Sequence, residues 1–166
     1  MLLEELRTKL PEIFEQVKKD VWKTIKRRRA GLSLGLTEMG LFRGGFIGGM
    51  YFSGGTMILM NTTPLRIILE NYPEEIVLAY TYHILLHEYI HSLGYLEEAQ
   101  TRAITIQITR EIYTDRKHPA RIIAEEGISA FFPSIPLIYA PSNYEPANLH
   151  IDIVKEFDKG SKTYYI

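Results

Sequence analysis

Residues 73–98 read PEEIVLAYTYHILLHEYIHSLGYLEE, and this stretch decides the fold. It predicts one long helix, because acidic residues follow Pro73 and no glycine or further proline interrupts the run before Gly94. Apolar residues occur on nearly every side of that helix, so we expect it to be buried. Gly94 is a natural end for it, since glycine readily adopts the left-handed conformation that closes many helices.

The same helix contains the pattern HExxH at residues 87–91. His87 and His91 lie one turn apart, about 6 Å along the axis, so both imidazoles can bind one ion. Glu88 points beside that ion, which suits a general base acting on a metal-activated water. Burying these three ionisable groups is costly unless they are paired or bind metal. The pattern therefore predicts a zinc site, and the competing interpretation is two satisfied core histidines with a buried glutamate.

A third protein ligand is expected, and two glutamates follow the second histidine closely. Gly94 lets the chain leave the helix sharply, after which Glu97 can return to the ion. Glu98 is one residue later and is suited to open the next helix. We take His87, His91 and Glu97 as the predicted ligands and keep Glu98 as an alternative.

A later segment offers two further carboxylates. Glu125 and Glu126 lie in IIAEEGISAFF, which resembles the second helix of gluzincins, where a glutamate returns to the metal. The aspartate that usually follows four residues on is absent here, because Ala130 takes that place. His83 also lies on the His87 face, but about 12 Å from His91 along the axis, so we expect it to support the site or the core.

The rest of the chain predicts helices on both sides of a glycine-punctuated segment of strands. Leu6, Leu10 and Phe14 belong to an amphipathic N-terminal helix that a proline at residue 11 could kink. Residues 50–53 and 56–61 flank a Gly-Gly pair and predict a hairpin. Short helices are predicted over residues 65–71, 97–113 and 119–132, the first capped by Thr63, and residues 149–154 alternate like a strand.

The composition excludes several classes of protein. The 166 residues carry a net charge of −1, which argues against nucleic acid or an anionic membrane as an obligatory partner. Cysteine is absent, which excludes disulfides and cysteine-ligated zinc. No apolar run approaches the roughly 18 residues of a membrane span, and we predict a cytoplasmic protein.

The basic run at residues 23–29, KTIKRRR, is interpreted as a solvated helix end. The chain is rich in isoleucine and poor in glutamine and asparagine, a composition that is typical of hyperthermophile proteins.

The residues HEYIHSLGYLE have the form HExxHxxGxxE. This resembles the extended zinc motif of metzincins, with glutamate in place of their third histidine. It is more similar to a family of minimal zincin-like metallopeptidases of bacteria and archaea, which also carry LPEIF-like and GLFRGG-like segments such as residues 10–14 and 40–45. The resemblance implies His87, His91 and Glu97 as zinc ligands and Glu88 as the base. It also implies an edge strand, here from residues 48–61, that pairs with extended substrate.

The resemblance further implies an α+β, zincin-like fold, with a small twisted mixed sheet packed against the active-site helix. We expect a single domain over residues 1–166, with the sheet and active-site helix in 1–94 and a helical extension with a proline-rich tail in 95–166. Tyr139, Tyr144, Tyr164 and Tyr165 could supply an oxyanion-stabilising hydroxyl.

Two functional hypotheses follow from the sequence. The first is a zinc metallopeptidase that hydrolyses peptides or unfolded protein. The second is a catalytically silent binding or regulatory module that keeps a structural metal. An open fourth position on the metal favours the first hypothesis, and a closed site favours the second.

Overall fold

The computed structural model describes residues 1–41, 45–132, 137–138, 149–158 and 164–165. These residues form five α-helices: α1 (Leu3–Ile25), α2 (Thr62–Asn71), α3 (Glu74–Ser92), α4 (Glu98–Ile112) and α5 (Pro119–Glu126). A 3-10 turn, Ile128–Ala130, follows α5. The strands are β1 (Arg29–Ala30), β2 (Ser33–Thr37), β3 (Phe46–Ile47), β4 (Gly49–Tyr51), β5 (Met57–Asn61), β6 (Leu137–Ile138), β7 (Asp152–Val154) and β8 (Tyr164–Tyr165). The fold is thus mixed, with α-helices and short strands.

Four strands form a small mixed sheet in the order β4-β5-β2-β7. Strands β2 and β5 are parallel, with Ser33 opposite Met57, whereas β4 and β7 are antiparallel to their neighbours. The predicted hairpin is present as β4 and β5, but its connection is five residues long rather than two. Gly54 has φ +80 in that connection, a conformation that glycine adopts without strain. Strand β7 shows that the C-terminal extension completes the sheet of the N-terminal part.

The predicted long helix is α3, and it lies at the centre of the core. Sixteen of its residues are buried, and it packs against α1, α4, α5 and β4. Phe14 of α1 contacts Tyr89 edge to face at 5.4 Å, and Phe132 contacts Tyr80 in the same way at 6.1 Å. Each fully buried large side chain of this kind stabilises the fold by roughly 1.5–3 kcal/mol. The core therefore holds the HExxH helix rigidly on several sides.

The predicted N-terminal helix is continuous as α1, with Pro11 inside it. One local prediction about helices needs correction. The N-cap of α2 is Asn61 rather than Thr63, because the Asn61 side chain accepts from the N–H groups of both Thr63 and Met39. The same amide donates to the carbonyl oxygens of Gly40 and Ile47, so a buried residue at the end of β5 organises the loop beside it.

The basic run after α1 is only partly a solvated helix end. Lys26 and Arg28 are exposed, but Arg29 is 2% exposed and Arg27 is half-buried. Arg29 donates to the carbonyl oxygen of Ser92, and Arg27 donates to that of Leu93. Two guanidinium groups therefore cap the C-terminal end of α3, where positive charge is favourable.

Among the helices of the described ranges, none combines the length and the apolar character that crossing a membrane would need. A cytoplasmic location stays a prediction from the sequence.

Candidate metal centre

His87 and His91 lie side by side on α3, as the sequence predicted. Their ring centroids are 4.8 Å apart at an interplanar angle of 81°, and the residues are 1% and 7% exposed. Ligand-type atoms of His87, Glu88 and His91 all lie within 4.8 Å of one another. These three residues could therefore hold a metal ion.

The chain turns back toward the two histidines directly after α3. The helix ends at Ser92, and Gly94 follows with φ +106, which a residue with a side chain rarely adopts. Helix α4 then begins at Glu98, whose carboxylate lies against both imidazoles. Its Oε2 is 3.0 Å from Nε2 of His87, and its Oε1 is 2.8 Å from Nε2 of His91.

The carboxylate beside the histidines thus belongs to Glu98, where we had predicted Glu97. Glu97 is the N-cap residue of α4, with φ −77 and ψ 127, and its side chain is exposed. The physical reason is the face of α4: Thr101 and Thr105 are buried against α3, and counting back at helical spacing places residue 98 on that face. The burial of these threonines is known only from the structure, so no signal in the sequence alone separates Glu98 from Glu97.

The other candidate residues are not in contact with this pair of Nε2 atoms. Glu125 is exposed, and its Oε1 accepts from the guanidinium groups of Arg110 and Arg121 at 2.8 Å each. Glu126 is exposed as well and lines a cavity beside His87.

His83 is buried one turn before His87, and the centroids of the two imidazole rings are 6.5 Å apart. Burial lowers the pKa of His83 to about 3. His83 is therefore a neutral neighbour of the site.

Glu88 is buried at the same site and is only 4% exposed. Its Oε2 has no hydrogen-bond partner among the described residues. Burial raises the pKa of Glu88 to about 8; the nearby His91 lowers it and the nearby Glu98 raises it further. A divalent cation close by would favour the charged carboxylate and lower this pKa.

Strand β4 approaches Glu88 closely because it carries glycine there. A Cβ atom on Gly49 would lie 3.3 Å from Cγ of Glu88, 2.7 Å from a methyl of Ile84 and 3.0 Å from the Leu59 carbonyl oxygen. Any larger residue at this position would have to displace the helix or the strand. The backbone of β4 therefore runs directly beside the HExxH helix.

Glu98 and the two histidines each change the pKa of the others. Burial raises the pKa of Glu98, but hydrogen bonds with His87 and His91 outweigh it and lower the pKa to about 2. Burial lowers the pKa of His91, yet Glu98 and Glu88 together raise it above its usual value. A cation placed between these groups would take the position of the proton that they share.

The second nitrogen of His91 makes a hydrogen bond that fixes the orientation of the ring. Nδ1 of His91 lies 2.7 Å from the carbonyl oxygen of Tyr95, and a carbonyl can only accept, so Nδ1 carries the hydrogen. Because Nδ1 makes this bond, Nε2 is the nitrogen left to bind a cation, once the cation displaces the proton between Nε2 and Glu98. Metal-ligating histidines are commonly fixed by such a bond. The donor set, the tautomer and the unpaired oxygen of Glu88 all fit a bound cation.

Thr101 also donates a hydrogen bond to the carbonyl oxygen of Tyr95, which gives a testable prediction. Its hydroxyl donates to the Tyr95 oxygen at 2.8 Å and lies 3.3 Å from Nδ1 of His91. We expect Thr101→Val to weaken zinc affinity about 10-fold, because outer partners of ligating histidines contribute at least that much. Thr101→Ser keeps the hydroxyl and should bind zinc like the parent chain. Competition with a chromophoric chelator measures both, and equal affinities for the two variants would contradict the role.

No protein-family model, no curated protein and no solved structure matches this chain. Of the tyrosines considered for the oxyanion, Tyr139 and Tyr144 lie outside the described residues, and only the backbone of Tyr164 and Tyr165 is described.

Proposed function

We propose that the protein is a zinc-dependent hydrolase of peptide bonds, with a zincin-like site. His87, His91 and Glu98 hold the ion, and Glu88 is the general base. One observation carries this proposal: the Glu98 carboxylate meets Nε2 of both histidines at 2.8–3.0 Å, while the buried Oε2 of Glu88 stays unpaired among the described residues. The proposal keeps the predicted chemistry and replaces Glu97 by Glu98.

The donor set favours zinc in a catalytic setting. Two imidazoles and one carboxylate form a set used by zinc hydrolases, which leave the fourth position for water or substrate. Bound zinc lowers the pKa of water to about 7 and polarises a carbonyl group. A purely structural site would instead fill all four positions with protein ligands.

Glu88 contributes the proton transfer. Its Oε2 takes a proton from the attacking water as the water oxygen bonds to the substrate carbonyl carbon. The same proton then passes to the leaving nitrogen as the C–N bond breaks, which releases an amine and a carboxylic acid, and the acid then loses its remaining proton to solvent. The buried position keeps bulk water away from this carboxylate, so its proton exchanges with the reacting groups.

Strand β4 supports a peptide as the substrate. It pairs with β5 at one end of the four-stranded sheet, and Gly49 brings its backbone against Glu88. An extended peptide can add to such an edge through main-chain hydrogen bonds. A peptide bound there would lie next to the proposed base and metal ligands, as substrates do in zincin-like enzymes.

Metal removal tests the proposal. The zinc-loaded protein should hydrolyse members of a broad peptide mixture, and dialysis against a chelator should abolish this activity because the water is no longer activated. Adding back one equivalent of zinc should restore it. Mass spectrometry of the products measures the reaction, and activity that survives complete metal removal would contradict it. Stable zinc binding without hydrolysis would favour the binding-module hypothesis instead.

A further inference from the structure

A cavity of about 310 Å³ lies away from the HExxH residues, where the first half of α3 meets α1, the end of α4 and the start of α5. Its walls are mostly aliphatic and aromatic, and neither Glu88 nor any of the proposed metal ligands lines it. An apolar cavity of about 150 Å³ is large enough to bind benzene. This larger space therefore has room for an aromatic ring that carries a short chain.

The aromatic walls of this cavity are held in place by their own contacts. The rings of Tyr82 and Tyr113 meet edge to face with centroids 5.5 Å apart, and the Tyr113 ring stacks on His118 at 4.2 Å. The Tyr82 hydroxyl donates to buried Asp20 at 2.6 Å, and Nδ1 of His118 accepts from the N–H group of Ala120 at 3.1 Å. Because these side chains are already ordered, a ligand does not have to restrict them further when it binds.

Glu75 places a negative charge at the solvent side of this cavity. It lies in the first turn of α3 and is exposed, and its side chain makes no hydrogen bond or ion pair with another described residue. The described residues that line the cavity include no lysine or arginine. Glu74 is its exposed neighbour in the sequence but does not line the cavity. A cation that enters the cavity therefore meets one free carboxylate and no lysine or arginine of the lining.

We propose that this cavity binds a small organic cation, an aromatic ring joined by a short chain to an ammonium group. The ring packs against Tyr82 and Tyr113, because aromatic rings attract one another in edge-to-face and offset-stacked arrangements. The ammonium group lies at Glu75, and the faces of nearby tyrosine rings also attract a cation. The walls accept a neutral ring equally well, so Glu75 selects the cation. This site does not depend on the proposed hydrolase function.

Three phenyl compounds of similar size test the inference on the full chain. Phenethylamine, phenethyl alcohol and phenylpropanoate carry a cation, a neutral group and an anion near neutral pH, and isothermal titration calorimetry gives the Kd of each. The amine should bind about 5-fold more tightly than the alcohol, which corresponds to one favourable exposed ion pair, and the anion should bind most weakly. Glu75→Gln should bring the ratio of amine to alcohol affinity close to one. Glu74→Gln removes the neighbouring charge outside the cavity and should leave the ratio unchanged.

Amide NMR spectra of the same protein show where the amine binds. The largest shifts should fall on Leu78, Tyr82 and Tyr113, which line the cavity. Equal affinity for the amine and the alcohol overturns the choice of a cation, and a preference for the amine that persists in Glu75→Gln overturns the role of Glu75. Shifts confined to residues outside the lining, or no binding of any of the three compounds, overturn the site itself.

Discussion

Glu88→Gln will reduce peptide hydrolysis by about 10²–10⁴-fold while the protein keeps its zinc. The amide has nearly the shape of the carboxylate but cannot take a proton from the attacking water, and general base catalysis contributes about that factor. Zinc affinity should change little, because the ligands in our account are His87, His91 and Glu98. Rates on a cleaved peptide and bound zinc per chain are measured on the same preparations.

The control for this variant is Glu97→Gln, which neutralises an exposed carboxylate at the start of α4. It should keep both zinc and activity. Unchanged hydrolysis in Glu88→Gln would remove Glu88 from the mechanism. Loss of zinc in that variant would show that Glu88 is a ligand, as the spacing of the His87, Glu88 and His91 donor atoms also permits.

Glu98→Gln will weaken zinc binding by more than the 10–100-fold that follows from loss of an outer partner of a ligand. The substitution removes a carboxylate that faces both Nε2 atoms and leaves an amide, which binds zinc poorly. Helix α4 should still fold, because Thr101 and Thr105 remain buried against α3. Equilibrium dialysis with metal analysis gives the affinity, and circular dichroism reports the helix content.

Glu97→Gln and Glu126→Gln are the comparisons for this second variant, since each removes one alternative carboxylate. Both should bind zinc with the parent affinity. If Glu97→Gln loses zinc and Glu98→Gln keeps it, the sequence prediction is right and the contact of Glu98 with the histidines has no role in metal binding.

Much of the fold could be predicted because its signals are local. The apolar run before His87, the acids after Pro73 and the left-handed Gly94 mark the bounds of α3 within the sequence itself. The two histidines share a face because helical geometry requires it. The glycine pair at residues 54–55 likewise predicts a hairpin. The sequence did not predict that its connection is five residues long, or that Arg29 donates hydrogen bonds to Tyr51 and Gly55 there.

The remaining features depend on contacts between distant segments. The choice between Glu97 and Glu98 is set by which face of α4 packs on α3, and one residue of shift turns a helix face by about 100°. Arg29 lies in a run that looks solvated, but its partner Ser92 is 63 residues away. The edge strand β7 comes from the C-terminal extension, so the sheet could not be assembled from residues 1–94 alone.

We propose that His87, His91 and Glu98 bind one zinc ion with an open fourth position. A crystal grown with zinc and measured at the zinc absorption edge tests it most directly. We predict a single strong anomalous peak within bonding distance of both Nε2 atoms and the Glu98 carboxylate, with no protein atom in the fourth position. A peak bonded to Glu97, a fourth protein ligand, or no peak between the two histidines would contradict the account.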